Sequence, residues 1–311
     1  MIAGHLYDLK VEFYENMGSA CCKLGLAPLD KSNKLQRAVK LAKESDLVVL
    51  CLGLNKEMEG ESTDREELTL PAKQLELLDK IVKANPRTIV VLNNATPILM
   101  TGWMDKVPAI LEAFYPGQEG GNALADILFG DVNPSGKLPI TLMKRWEDSS
   151  AYGTYPGTKK LADYKEGIFV GYRHFDKEKI EPLFPFGYGL SYTSFEYSGI
   201  KPDKPVMEQN DTLTVSLSVK NTGKMDGDEV VQLYIHDEIA SVEREVKALK
   251  GFERVSLKAG ESKKVSFKID KSHLSFFDTA SKKWVAETGK FEVLIGSSSK
   301  DIRLKQQFNL K

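Results

Sequence analysis

The sequence predicts a two-part protein: an α/β unit with an open, mostly parallel sheet and helices on both faces, followed by an all-β sandwich. Two patterns lead to this prediction. In the first half of the chain, short apolar runs alternate with segments whose apolar residues recur at helical spacing, which is typical of strand–helix units. In the second half, segments of alternating apolar and polar residues recur between Gly, Asn and Asp turns, and no helical pattern interrupts them.

The strand–helix alternation starts near residue 34. LQRAVKLAKES (35–45) has the apolar spacing of an amphipathic helix, and the wholly apolar run DLVVLCLG (46–53) predicts a strand buried on both faces. After a polar loop, Pro71 opens a second helix. Three further strands and one helix follow in the order strand, strand, helix, strand: TIVVLNN (88–94), AILEAFY (109–115), GGNALADILFGD (120–131) and GKLPITL (136–142). This alternation favours a parallel or mixed sheet.

Four alternating segments build the second part: TLTVSLSVKNTG (212–223), DEVVQLYIHD (228–237), KKVSFKID (263–270) and KFEVLIGSSS (290–299). Period-two patterning predicts strands with one buried face, as in a β-sandwich. This part contains no cysteine, which excludes the disulfide-linked antibody type and leaves a fibronectin type III-like arrangement. We therefore expect a remnant β-hairpin within 1–30, an α/β domain at 31–145, an interdomain linker at 146–194 and a sandwich at 195–311.

The composition narrows the classes of function. Lys and Arg number 43 against 44 for Asp and Glu, so the net charge of −1 gives no electrostatic footprint for nucleic acid. No apolar run reaches about 18 residues, so we expect no membrane span. Cys21, Cys22 and Cys51 form no CxxC motif and have no His cluster beside them, so we expect neither a metal nor another cofactor. The N-terminal residues lack a signal-peptide pattern, which leaves the compartment open and favours the cytoplasm.

The candidates for chemistry concentrate in one acidic loop, GLNKEMEGESTDREELTLPAKQ (53–74). In open α/β sheets, ligands bind beyond the carboxyl ends of the strands, so a loop that follows the first buried strand is well placed for a site. By composition alone, an acidic loop is more often a solvated surface. The chain has no G-x-G-x-x-G or similar loop that would cradle a phosphate, which argues against a nucleotide-binding protein.

The order of residues in this loop adds a more specific signal. GESTDR (60–65), followed by L-x-L-P-x-x-Q, resembles the acid/base loop of glycoside hydrolase family 3, whose pattern is E-G-x-D-R. Three further stretches resemble the same family in the same order: the PGQ-x-GG signature region Phe114–Thr141, and the linker motifs Val170–Asp176 and Pro182–Tyr197. Together these matches cover most of residues 35–300.

The resemblance implies a β-glucosidase-like enzyme that hydrolyses terminal β-D-glycosidic bonds with retention, using two carboxylates about 5–5.5 Å apart. It places the general acid/base on Glu61, with Glu59 as the runner-up. Ser62 stands where the family usually has Gly. Asp64 and Arg65 match the family's Asp-Arg pair, and we expect them to form an ion pair that braces the loop. Arg65 could instead tune Glu61.

Two residues outside the loop are further candidates for contact with substrate. Trp103 either packs beneath the sheet, which is the more common role of such a residue, or lies near the rim, where an aromatic ring can stack on a sugar. Gln118 lies in PGQEGG at the start of a predicted helix, where an anion can bind. The glycines of that motif equally fit a tight turn without any ligand.

The resemblance also implies a partner. In that family the nucleophilic Asp lies on an N-terminal (β/α)₈ barrel of about 200 residues or more, whereas 33 residues precede the α/β unit here. Residues 5–26 have a hairpin pattern that resembles the closing strands of a protective-antigen-like module. We expect the chain to act on a β-glucoside or oligosaccharide together with a barrel domain or partner chain, and to be inactive by itself. A further copy of this chain is another candidate partner. The alternative function is that of a non-catalytic protein that binds carbohydrate or a partner.

Overall fold

The computed structural model describes residues 5, 10, 33–61, 64–157 and 161–311. Apart from His5 and Lys10, the hairpin predicted at residues 5–26 lies outside the described residues. The helices and strands of the first part are α1 (Lys34–Glu44), β1 (Val48–Gly53), α2 (Ala72–Ala84), β2 (Thr88–Asn93), β3 (Ala109–Glu112) and α3 (Gly120–Phe129). A short helix, α4 (Tyr172–Lys177), follows in the linker.

Strands β1, β2 and β3 form a parallel sheet in that order. The register aligns Leu50 with Val90 and Val90 with Ile110. These side chains share one face of the sheet because alternate residues of a strand point the same way. That face packs into a core with Leu78 and Ile81 of α2. The predicted fold class of this part is confirmed.

The sequence predicts that β1 is buried on both faces, whereas the structure buries only one of them. Leu50 and Leu52 are buried, but Cys51 is exposed and Val49 is 42% exposed. β1 is the outer strand of the described sheet, and its second face is left open by the described residues. The apolar run therefore predicted the strand correctly but overestimated its burial, because only one face of β1 is covered by the described residues.

The prediction of a strand at 136–142 is wrong. This segment forms one isolated antiparallel bridge, between Leu142 and Phe184. Its backbone bonds run to the linker, with the Leu138 N–H donating to the Tyr188 carbonyl at 2.8 Å and the Gly187 N–H donating to the Leu138 carbonyl at 2.8 Å. Pro139 has no N–H to offer a sheet, which explains why an apolar extended segment stays outside one.

The second part consists of two antiparallel sheets with an apolar core between them. Their strands and the short helix are β4 (Phe195–Pro202), β5 (Val206–Met207), β6 (Leu213–Asn221), β7 (Gly227–Asp237), β8 (Ala248–Leu257), β9 (Ser262–Ile269), α5 (Lys271–Leu274), β12 (Gly289–Gly296) and β13 (Ile302–Leu310). One sheet has the order β5-β13-β12-β7-β8, in which β5 pairs parallel to β13, and the other has the order β4-β6-β9. A separate hairpin comprises β10 (Phe276–Asp278) and β11 (Lys283–Val285). The predicted sandwich is confirmed.

Buried polar contacts join the two parts. Lys137 forms an ion pair with Glu229 of β7 at 3.1 Å, and both side chains are largely buried. Asp176 of α4 is paired with Lys247 and with Lys300 of the sandwich. The Gln232 amide of β7 donates to the Gly187 carbonyl at 3.1 Å. In the part of the chain that the structure describes, no helix is both long and apolar enough to cross a membrane.

Candidate active site

The candidate site lies at the rim where the three parallel strands end. The register places Gly53 beside Asn93, and Leu92 beside Glu112, so the carboxyl ends of β1, β2 and β3 meet there. A Cβ at Gly53 would lie 2.0 Å from the Asn93 carbonyl oxygen, so no larger residue fits this close approach. The loop that carries the predicted acid/base residue leaves the sheet at this glycine.

The Gln74 side chain fixes the start of that loop. Its Oε1 accepts from the Gly53 N–H at 2.9 Å, and its Nε2 donates to the Gly53 carbonyl at 2.7 Å. Gln74 lies in the first turn of α2 and is the last residue of the L-x-L-P-x-x-Q motif. The motif therefore ties the helix that follows the loop to the strand that precedes it.

Glu59 is the anchor of the loop. Its side chain is buried, with 5% of the residue exposed. It accepts hydrogen bonds from the Ala95 N–H at 2.6 Å, from the Thr96 N–H at 3.0 Å and from the Thr96 hydroxyl at 2.5 Å. The Tyr115 hydroxyl is a fourth donor. Burial by itself raises the pKa of Glu59, but the four donors together lower it below its usual value.

Arg65 ties the other end of the loop to Thr96, the residue that also binds Glu59. Its guanidinium donates to the Thr96 hydroxyl oxygen at 2.8 Å, to the Pro97 carbonyl at 3.1 Å and to the Thr69 carbonyl at 2.9 Å. Burial lowers the pKa of Arg65, and the nearby charge of Glu59 opposes this effect. The two charged anchors on either side of Glu61 thus share Thr96 as a partner.

The ion pair predicted between Asp64 and Arg65 is replaced by separate contacts. Asp64 accepts a hydrogen bond from the Tyr155 hydroxyl of the linker at 2.7 Å, and this bond raises the pKa of Tyr155. Arg65 instead donates to the Thr69 and Pro97 carbonyls and to the Thr96 hydroxyl oxygen. A guanidinium has five N–H donors, and three fixed oxygen acceptors use them better than one exposed carboxylate does.

The structure places Glu61 in the exposed part of the loop, two residues after the buried Glu59. Gln118 is exposed in the turn that precedes α3, three residues after Tyr115. Trp103 is 6% exposed and belongs to the apolar core, where its indole N–H donates to the Leu99 carbonyl at 3.3 Å. Trp103 therefore packs beneath the sheet and has no open face for a sugar.

Sequence reasoning missed three rim residues: Thr96, Glu112 and Tyr115. Each lies at or just after the end of an observed strand, where polar side chains of neighbouring parallel strands converge: Thr96 follows β2, Glu112 ends β3 and Tyr115 follows β3. The strand predicted at 109–115 ends at Glu112 in the structure, so its predicted length hid the position of Glu112 at the rim.

Glu112 has an unusual carboxyl. Burial and the charge of Glu59 raise its pKa to about 7, although hydrogen bonds from the Phe114 N–H and the Asn94 amide oppose that rise. Among the described residues, no group of His, Cys, Asp and Glu side chains could hold a metal ion.

Comparisons with known proteins agree on the family. Residues 8–192 match the glycosyl hydrolase family 3 C-terminal domain, and residues 229–299 match a fibronectin type III-like domain. The chain is 47% identical over 272 residues to thermostable beta-glucosidase B of Acetivibrio thermocellus, which covers 88% of this chain and 36% of that protein. Beta-glucosidase BoGH3A of Bacteroides ovatus is 45% identical, with 86% and 36% covered.

Solved structures show the same relationship. The crystal structure of a GH3 beta-glucosidase of Bifidobacterium adolescentis superposes with a TM-score of 0.85 at 38% identity, over 91% of this chain and 42% of that one. Beta-glucosidase of Kluyveromyces marxianus, solved in complex with glucose, has a TM-score of 0.84 at 39% identity, over 92% and 34%. The chain therefore spans a little over a third of the length of the curated relatives it matches.

Proposed function

Because the chain belongs to glycoside hydrolase family 3, we propose that it supplies Glu61 as the general acid/base of a retaining β-glucosidase-type site. The nucleophile of that site lies on a barrel domain, in the same longer chain or in a partner chain. The substrate class is β-glucosides, including short oligosaccharides. The observation that carries the proposal is the different placement of the two candidate glutamates of the loop, Glu59 and Glu61.

Glu59 is unsuited to proton transfer. Four donors already occupy its carboxylate, and its lowered pKa keeps it ionised at neutral pH. A general acid must hold a proton and reach the departing oxygen. Glu61 is exposed and open to a ligand above the rim. Burial beside a bound sugar favours the neutral form of a carboxyl, which is the state that a general acid needs.

The reaction has two steps. In the first, the nucleophilic carboxylate of the barrel attacks the anomeric carbon while the Glu61 carboxyl gives its proton to the departing glycosidic oxygen. In the second, the Glu61 carboxylate takes a proton from a water molecule that displaces the enzyme from the same carbon. Glucose leaves with its β configuration retained, and Glu61 is protonated again for the next cycle.

Both anchors of the loop support this role. Catalysis by a positioned group depends on placing its reacting atoms within a fraction of an ångström. Glu59 and Arg65 tie the backbone before and after Glu61 to Thr96, which is itself placed by the end of β2. The loop is thereby fixed on both sides of Glu61, which stays exposed.

An apolar surface supports the presence of a further domain. Helix α3 consists mostly of Ala, Leu, Ile and Phe, yet only Gly120 among its residues is buried. Phe129 at its end is 84% exposed, and Val132 and the open face of β1 at Val49 are exposed as well. A contiguous exposed apolar patch marks an interaction site, and α3 with Phe129 and Val132 is such a run of neighbouring residues. We infer that the barrel-bearing part docks against α3.

Hydrolysis of an aryl β-glucoside tests the proposal. We expect no turnover from the chain alone, and turnover when it is mixed with the N-terminal two thirds of the Acetivibrio thermocellus relative. Glu61→Gln should lower that turnover by about 10²–10⁴-fold, because general acid/base catalysis contributes that much. Glu66→Gln, which changes another exposed carboxylate of the loop, is the matched control.

Two outcomes would count against the proposal. Full activity of Glu61→Gln in the mixture would remove Glu61 from the reaction. Binding of the glucoside by the chain without turnover in any mixture would favour the non-catalytic carbohydrate-binding alternative. Activity of the chain alone, lost in Glu61→Gln, would instead mean that a complete site forms between copies of this chain.

A further inference from the structure

The linker reaches the acid/base loop through an exposed tyrosine. The Tyr155 hydroxyl donates to the Asp64 Oδ1 at 2.7 Å, although the two residues lie 91 positions apart in the chain. Tyr155 is 56% exposed and Asp64 is exposed as well, so burial of apolar surface does not account for their contact. A hydroxyl that donates to a carboxylate forms a stronger bond than one between neutral groups. The contact is therefore a specific polar tie between the linker and the loop.

A tight turn holds Tyr155 in place. Its backbone N–H donates to the Ala151 carbonyl at 3.1 Å. The Thr154 N–H and hydroxyl donate to the same carbonyl, each at 3.1 Å. These bonds restrict the conformations of the turn, so the Tyr155 side chain gives up less freedom when it meets Asp64. A preformed turn of this kind suits a side chain that has to hold another segment.

The linker is also fixed to the α/β part before this turn. The Leu142 N–H donates to the Phe184 carbonyl at 2.8 Å, and Leu142 is buried in the core of that part. The Thr101 hydroxyl donates to the Lys144 carbonyl at 2.7 Å. Thr101 lies in the segment after β2 that also carries Thr96, the partner of both loop anchors. The linker therefore leaves the α/β part beside the segment that anchors the loop.

We propose that Tyr155 is a positioning residue of the acid/base site, which holds the Glu61 loop through Asp64. Asp64 lies three residues after Glu61, and Glu59 lies two residues before it. Glu59 ties the loop to the end of β2, whereas Asp64 ties it to the linker. An attachment to a second segment keeps the loop from turning about the first attachment. The inference rests on the proposed function, because it concerns the placement of the Glu61 carboxyl.

The choice of leaving group distinguishes positioning of the acid from general damage. A sugar hydroxyl is a poor leaving group, so cleavage of its bond needs the proton of the general acid. A dinitrophenolate, in contrast, leaves without that proton. A shift of Glu61 should therefore slow the first step of the reaction for cellobiose and spare it for 2,4-dinitrophenyl β-glucoside. A general loss of folded structure would slow both.

Titration of Tyr155 tests the contact without any catalysis. The ¹³Cζ resonance of Tyr155 in the whole chain, assigned by comparison with Tyr155→Phe, should titrate above the usual tyrosine pKa of 10.0. The reason is that Asp64 accepts the hydroxyl proton and its negative charge opposes ionisation. In Asp64→Asn the charge is removed, so the midpoint should move down toward the usual value. An ordinary midpoint in the unmodified chain, or a raised one that persists in Asp64→Asn, would overturn the proposal.

Turnover by the chain mixed with the N-terminal part of a relative tests the positioning. Tyr155→Phe keeps the ring and removes the donor, so kcat/KM for cellobiose should fall about tenfold, as expected for one lost hydrogen bond to a charged group. The value for 2,4-dinitrophenyl β-glucoside should stay within about twofold, since kcat/KM follows the first step and that step needs no acid here.

The matched control is Tyr164→Phe, the same change at another exposed tyrosine of the linker. It should alter kcat/KM for neither substrate. Equal losses with both substrates in Tyr155→Phe would show a general structural role. No loss with either substrate would show that the loop is placed without this contact. Each of these results would overturn the proposal.

The two residues should also act as one unit. Adding Tyr155→Phe to Asp64→Asn should lower kcat/KM for cellobiose no further, since the hydroxyl then has no charged acceptor to hold. Additive losses would mean that Tyr155 acts by another route and would overturn the proposal. The fate of the proposed function stays separate. Full activity of Glu61→Gln contradicts that function, whereas unchanged cellobiose hydrolysis by Tyr155→Phe beside a strong loss in Glu61→Gln contradicts this inference alone.

Discussion

The two parts of the molecule differ in how completely each buries its own strands. In the sandwich, the inward residues of β6, β7 and β12 are almost inaccessible to solvent, including Val215, Val231 and Val293. In the α/β part, β2 is buried to the same degree, but β1 and α3 keep apolar side chains in solvent. The sandwich is thus a complete core, whereas the α/β part has a surface and a polar rim that suit a neighbour.

Removing a ring from the sandwich core should have the largest effect on stability. Phe291 is buried and stacks on Phe308 with ring centroids 5.7 Å apart. Phe291→Ala should cost about 3–5 kcal/mol, because a large buried side chain leaves a cavity in a core that cannot collapse. Phe277→Ala, at an exposed ring of the β10–β11 hairpin, is the control and should cost less than half as much. Calorimetry of both variants checks this, and equal losses would contradict the picture of a complete core.

Breaking the contact between the two parts should be nearly as damaging. Lys137→Ala leaves Glu229 as a buried carboxylate without its cation, which typically costs about 3–5 kcal/mol. Lys40→Ala removes an exposed pair with Glu44 at 3.8 Å and should cost less than about 1 kcal/mol. Urea unfolding measures both. If Lys137→Ala were as mild as its control, the junction would not couple the two parts.

Neutralising the loop anchor should have a smaller effect that depends on pH. Glu59→Gln should cost about 1–3 kcal/mol at neutral pH, because its hydrogen bonds lose their charge and one of its acceptors becomes a donor. The pKa of Glu59 is lowered in the folded chain, so this stabilisation is present above pH 4.5 and is lost as the pH falls through the folded value.

The measurement for Glu59 is the unfolding free energy from pH 3 to 7. The difference between the unmodified chain and Glu59→Gln should shrink steadily on the acid side. A difference that stays constant with pH would show that the charge of Glu59 is not what holds the loop. The direction is opposite to that expected for Glu112, whose pKa is raised, so the two carboxyls of one rim can be told apart.

The smallest effect on stability is expected at the apolar surface. Phe129→Ser should change the unfolding free energy by no more than about 0.5 kcal/mol, since the side chain is already exposed. The same change should weaken reconstitution with the barrel-bearing part of a relative. Phe252→Ser, at an exposed ring of the sandwich, should leave reconstitution intact. Equal effects on reconstitution would remove α3 from the proposed docking surface.

Much of the fold followed from local patterns, and the exceptions have physical causes. Period-two segments and buried runs located most of the strands, because side-chain direction alternates along a strand. The segment 136–142 has the composition of a strand, but Pro139 and its contacts with the linker keep it out of the sheet. The sequence context of Trp103 allows it either to pack beneath the sheet or to stack on a sugar at the rim. Its burial in the core shows that it packs beneath the sheet.

The sequence by itself determined the class of fold, the family and the loop on which the proposed chemistry depends, because these follow from the type and order of neighbouring residues. Tertiary structure decided which carboxyls of the rim are anchors and which are open. Glu59, Glu61 and Glu112 are chemically alike. Glu59 is an anchor because residues 95, 96 and 115, far from the loop in sequence, donate to it. Burial and the charge of Glu59 raise the pKa of Glu112, whereas Glu61 is exposed. Burial and hydrogen bonding set the protonation of a carboxyl, and both depend on contacts between distant segments.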